Sequence, residues 1–136
     1  MDTNLWVYRL DQREPEKSRF IAQWLRALAR EHEIVISTQV LIELRAVLMG
    51  KLKPAFSEDD TRDALDALDA FEVVATHAAL VLDAHELAAQ EQLSWFDALI
   101  AEAALRSQCS VLFSEDFSQG RRLTASLLVQ NPFRSM

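Results

Sequence analysis

Short apolar runs separated by stretches of helical periodicity constrain this chain more than any other feature. Ile34, Val35 and Ile36 end at Ser37, after which Val40, Leu41, Leu44, Val47 and Leu48 recur along one helix face. Residues 72–75 read as a strand and lead into residues 77–93, where Leu80, Val81, Ala84, Leu87 and Ala88 repeat at helical spacing. Two further runs, residues 111–113 and 127–129, follow, the second closed by Asn131 and Pro132. Strands that are apolar at nearly every position need cover on both faces, which helical crossovers provide. The expected fold is an α/β sandwich with a mostly parallel central sheet.

The remaining segments fit that scheme. Residues 17–32 predict an amphipathic helix, with Phe20, Ile21, Trp24, Leu25 and Leu28 on one side and Arg19, Arg26 and Arg30 between them. Residues 51–56, with Pro54, form a connection. Ser57 then caps a helix whose first turn holds Glu58, Asp59 and Asp60 and whose stripe is Ala64, Leu65, Leu68 and Phe71. A last helix is predicted from Trp95 to about Ser107, and residues 118–120 read as a turn. A chain of 136 residues, half of them apolar, can bury one core, so residues 1–136 are read as a single domain.

Several classes are disfavoured on composition. The lone Cys109 cannot form an internal disulfide, which fits a reducing cytoplasm. No apolar run approaches the roughly 20 residues of a membrane span, and Asp2 stands where a signal peptide carries basic and then apolar residues. Gly50 and Gly120 are the sole glycines, too few for a loop that cradles nucleotide phosphates. His32, His77 and His85 are not spaced as a zinc set. Trp24 and Trp95 are expected to pack in the core, and Arg9, Arg13, Arg45, Arg121 and Arg122 are candidate phosphate contacts.

The formal net charge of -7 argues against a protein that coats nucleic acid with Lys and Arg. It is compatible with a site where acids hold divalent cations, because the cations then supply the attraction for phosphate. In a parallel sheet, ligands bind beyond the carboxyl ends of the strands. Glu43 follows one strand, Asp97 starts a helix, and Glu115 and Asp116 follow another strand, so these acids share an address. Two carboxylates about 4 Å apart repel by roughly 4 kcal/mol at an effective dielectric near 20. Mg²⁺ or Mn²⁺ removes that cost and can activate water against a phosphodiester.

Each acid also has a structural reading. Ser94 and Asp97 have the spacing of a capping box, as do Ser57 and Asp60, and Asp60 is read as a cap only. Asp116 can start a short helix, and Asp2 can be an exposed terminal residue. Glu43 lies in the apolar stretch 40–44, where an unpaired buried carboxylate is costly, and this placement favours a ligand.

Four blocks decide between these readings. Asp2-Thr3-Asn4, Glu43 within residues 39–44, Asp97 within residues 93–100, and Asp116 within residues 112–116 together resemble the PIN domain, and the ending Asn131-Pro132-Phe133 matches as well. The similarity runs in order through almost the whole chain and is strongest to the VapC-like toxins of toxin-antitoxin pairs. The resemblance implies a three-layer sandwich. It implies a pocket of Asp2, Glu43, Asp97 and Asp116 holding one or two Mg²⁺ or Mn²⁺ ions for RNA cleavage, with Asn4, Ser114 and Glu115 as auxiliary residues. It further implies a small antitoxin as partner, and a homodimer.

At the first motif the chain departs from the family pattern. There the first aspartate ends a central strand, whereas here Met1 alone precedes it. Residues 5–8 have strand-like composition, but the family pattern makes them helix. A parallel sheet without its middle strand leaves backbone groups unpaired, so a start upstream of Met1 is expected. A native mass matching Met1 as the start would contradict it. Two rival functions are a phosphoacceptor receiver, which lacks its late lysine because none follows Lys53, and a PIN-like protein that binds RNA or a partner without catalysis.

Overall fold

The computed structural model describes residues 1–52, 54–115 and 120–135. The first helix, α1 (Thr3–Leu10), starts directly after Asp2 and buries Leu5 and Trp6, so residues 5–8 follow the family pattern and not their strand-like composition. Helix α2 (Pro15–Glu31) begins two residues earlier than its periodicity predicts, because Pro15 occupies the first turn, where its missing N–H costs nothing. Strand β1 (Val35–Ser37) runs straight into α3 (Thr38–Met49). Helix α4 (Glu58–Asp69) carries the predicted capping box: Asp60 N–H donates to Ser57 Oγ at 3.0 Å and Ser57 N–H to Asp60 Oδ2 at 3.1 Å.

Strand β2 (Glu72–Val74) leads to α5 (Ala78–Glu91), whose first turn is capped by His77 Nδ1, accepting from Leu80 N–H at 3.2 Å. One of the three histidines therefore has a local structural role. Gln92, in the left-handed region at φ 53°, ends α5, and α6 (Trp95–Arg106) follows at once. Strand β3 (Val111–Phe113), the short β4 (Arg122–Leu123), β5 (Leu127–Gln130) and a 3-10 turn (Pro132–Ser135) complete the order.

β1 pairs with β2 in parallel, and β3 pairs with β5 in parallel, with β4 antiparallel on the far side of β5. The strands thus form two sheets, β1-β2 and β3-β5-β4. Consecutive residues of β3 show that helices cover both faces. Leu112 is buried with Ile100, Ala101 and Ala104 of α6, whereas Phe113 turns the other way and meets the Trp24 ring of α2 edge-on, centroids 4.6 Å apart. A second cluster gathers Trp6, Ile34, Ile36, Val40, Leu44, Leu48 and Leu68, and a third joins α5 to α6 through Leu80, Ala84, Ala98, Leu99 and Ala103. Among the described residues, no helix is long and apolar enough to cross a membrane.

Trp95 corrects an expectation. It is 41% exposed, because the first turn of α6 projects past the α5–α6 core; Trp24 packs as expected.

Candidate active site

The acids are placed where elements end. Asp2 precedes α1, Glu43 lies in the second turn of α3 just beyond β1, Asp97 is in the first turn of α6, and Ser114 and Glu115 directly follow β3. Asp116 lies outside the described residues.

Asp2 is 4% exposed, and its Oδ2 accepts a hydrogen bond from the fully buried Ser114 hydroxyl at 2.7 Å. Its backbone N–H donates to Phe113 O at 3.0 Å, which ties the first motif to the end of β3. One residue on, the Thr3 hydroxyl donates to Glu43 Oε2 at 2.6 Å. The other Glu43 oxygen accepts from Gln39 Nε2 at 2.7 Å, one helical turn back on α3. Gln39 Nε2 also donates to Phe96 O at 3.2 Å, next to Asp97. A continuous path of short contacts therefore runs from Ser114 through Asp2, Thr3, Glu43 and Gln39 to the first turn of α6.

At that turn Ser94 Oγ accepts from Asp97 N–H at 3.3 Å. The bond to Ser94 is made by the backbone N–H of Asp97. Glu115 points along another branch: its Oε1 accepts from the Tyr8 hydroxyl at 2.7 Å, and Lys17 Nζ lies 4.3 Å from the centre of the Tyr8 ring. Asn4 is half-buried in the first turn of α1.

Thr3, Gln39 and Tyr8 hold site acids, yet sequence reading assigns them no role. Gln39 and Glu43 are four residues apart on one helix, a signal present in the sequence. Thr3 and Tyr8 reach acids 40 and 107 residues away, where spacing carries none.

Three observations bear on a metal. The donors are hard carboxylate oxygens, the type Mg²⁺ and Mn²⁺ take. Glu43 is fixed by neutral donors, which orient its charge without cancelling it. Beside it, buried Gln39 Oε1 has no hydrogen-bond donor among the described residues, and the water shell of a cation would supply one. These residues fit a divalent cation in kind. Still, no three His, Cys, Asp or Glu side chains among the described residues converge closely enough to hold an ion. Met1 adds a positive group: burial lowers its ammonium below the ordinary value, while the Asp2 carboxylate pulls the other way.

Of the candidate phosphate contacts, Arg13 is engaged by Asp11 at 2.8 Å and Arg121 is bonded to Glu91, leaving Arg9, Arg45 and Arg122 exposed.

Short parallel strands alternate with helices, and Glu43 and Glu115 lie past the carboxyl ends of β1 and β3, which defines an α/β protein with acids at the ends of its strands. The PIN domain family model matches residues 1–122, and the chain belongs to that family, whose members are generally nucleases. The fold is similar to a chain in the crystal structure of VapBC2 from Rickettsia felis bound to a DNA fragment from their promoter, with a TM-score of 0.68 and 24% identity over 95% of this chain and 94% of that one. No curated protein matches the chain.

Proposed function

We propose that this PIN domain is a metal-dependent ribonuclease that hydrolyses RNA phosphodiester bonds, and the toxin of a VapC-like toxin-antitoxin pair. The observation that carries the reading is the path linking Asp2, Glu43 and the first turn of α6, in which neutral donors orient the carboxylates of Asp2 and Glu43 and reach the backbone carbonyl of Phe96 beside Asp97. Asp2, Glu43, Asp97 and Asp116 would hold Mg²⁺ or Mn²⁺. When bound, the cation supplies an activated water and stabilises the departing oxygen. The chain's own contribution is positioning: Ser114 holds Asp2, Thr3 and Gln39 hold Glu43, and Tyr8 holds Glu115 as an auxiliary acid, with Asn4 next to Thr3. Glu43 reaches this position because α3 starts where β1 ends, and Asp97 because Ser94 fixes the first turn of α6.

The partner reading rests on exposed apolar surface beside the acids. Ile42 is 65% and Phe96 61% exposed, and each adjoins a site acid in sequence. A small antitoxin lying across the cleft would bury both. The VapBC2 complex provides the analogy, and a cytoplasmic setting is part of the same proposal. The same surface is open to a second copy of the chain, which would give the homodimer.

Replacing Asp97 or Asp116 by Asn is expected to abolish cleavage of single-stranded RNA while leaving the circular dichroism spectrum intact. EDTA-sensitive cleavage retained in both variants would refute the site.

A second reading, a PIN domain that binds RNA or a partner without catalysis, is favoured by the same spread of acids that leaves no triad of ligands among the described residues.

A further inference from the structure

A cavity of about 630 Å³ opens between the end of α1 and the connection from α3 to α4. Arg9, on its lining, lies two helical turns beyond Asp2, roughly 10 Å along the axis of α1 at 1.5 Å per residue, so the cavity is separate from the acids. On a chain of net charge -7 this lining is basic: Arg9, Arg13 and Lys51 stand against a single acid, Asp11.

The loop after α1 is fixed from both sides. Arg9 O, at the end of the helix, accepts from the Ser18 hydroxyl at 2.9 Å. Asp11 is 6% exposed, and it accepts from Arg13 N–H at 3.0 Å, from Arg13 Nε at 2.9 Å and from Arg13 Nη2 at 2.8 Å. The guanidinium is thereby held in one orientation, while Nη1 makes no hydrogen bond among the described residues and the side chain stays 69% exposed. Arg9 and Lys51 are exposed, and neither side chain has an acidic partner among the described residues. The lining therefore keeps an excess of positive charge. Its floor is apolar, since Leu10 and Phe56 rest on the buried cluster that holds Trp6 and Leu52 and are half-buried at the cavity.

A fixed guanidinium, two further cations and an apolar floor suit a ligand with a dianionic end and a flat apolar body. A phosphate monoester carries about -1.5 to -2 charges at pH 7 and accepts several charge-assisted hydrogen bonds. We propose that this cavity binds a nucleotide with a terminal phosphate, the phosphate among Arg9, Arg13 and Lys51 and the base against Leu10 and Phe56. A free mononucleotide and the phosphorylated end of a strand present the same chemistry. The inference rests on this cavity and does not depend on nuclease activity.

Calorimetric titration of the full chain in EDTA, which keeps cations from the acids, tests it with AMP, adenosine and inorganic phosphate as probes. AMP is expected to saturate and to bind about tenfold or more tighter than adenosine or phosphate. The double variant Arg9→Ala with Lys51→Ala is expected to weaken AMP binding about tenfold or more. Arg26→Ala, which removes a charge from the exposed side of α2, should leave it within about twofold. A short DNA strand with a terminal phosphate separates the two sources: affinity equal to or above that of AMP assigns the site to a strand end, and weaker binding to a free nucleotide. AMP bound no tighter than adenosine or phosphate, equal affinity in the double variant, or an equal loss in Arg26→Ala would overturn the proposal. None of these readouts involves RNA cleavage, so failure here is distinct from failure of the nuclease reading.

Discussion

Glu43 is oriented by two neutral side chains from different elements, Thr3 at 2.6 Å and Gln39 at 2.7 Å. A carboxylate held in this way keeps its charge for a cation while losing the freedom to swing away. Gln39→Leu removes one restraint and a buried amide together, and is expected to lower metal-dependent kcat about 10-fold to 100-fold with the fold retained; kcat within twofold of wild type would show that the contact is incidental. Away from the site, burial raises the Glu102 carboxyl above its ordinary value, with Arg106 opposing and Asp83 adding to the rise. A carboxyl raised in the fold stabilises when protonated. That contribution is complete below its unfolded value and is lost as pH climbs through the folded one. Glu102→Gln, which does not ionise, should therefore be more stable than wild type at pH 7 and level with it near about pH 3. Urea midpoints measure this, and a wild type more stable at pH 7 would reverse the sign. At this scale the sequence is legible where contacts are local, as with Ser57 and Asp60 or Gln39 and Glu43. It is silent where Tyr8 meets Glu115, because only the sheet brings them together.

Leu112 is fully buried in the middle of β3, between α6 and its neighbour β5. Leu112→Ala is expected to cost about 2–5 kcal/mol in chemical denaturation, through lost burial and the cavity left behind; a loss below about 1 kcal/mol would mean that the site collapses around the smaller side chain. The order of strands and helices is readable because near-continuous apolar runs and helical stripes differ in period. β4 escapes notice since two residues, Arg122 and Leu123, are too few to show any period. The turn at residues 118–120 is predicted from composition, and of it the described residues include Gly120, with φ 77°. The two sheets, bridged by the nitrogens of Met1 and Asp2, are not legible in the sequence, because the bridge depends on which carbonyls Val35 and Phe113 present to those nitrogens.

Over the whole molecule, a net charge of -7 and exposed apolar residues have to be reconciled with the proposed RNA substrate. Under that proposal a metal-loaded pocket would be locally positive on an acidic protein and would draw phosphate to the site and not to the surface at large. Ile42 and Phe96, which adjoin Glu43 and Asp97 in sequence, would give the proposed antitoxin apolar anchors. The sequence blocks allow the family to be recognised, and the architecture agrees; the distances between the carboxylates are not legible in the sequence, because they are set by separate elements packing together. The central claim is that these carboxylates bind a cation, and calorimetric titration of Mn²⁺ into the full chain and into Asp97→Asn tests it most directly. The account predicts a saturable binding heat for the wild type and an affinity lowered about tenfold or more in Asp97→Asn. Absent binding to the wild type, or equal affinity in both proteins, would contradict it.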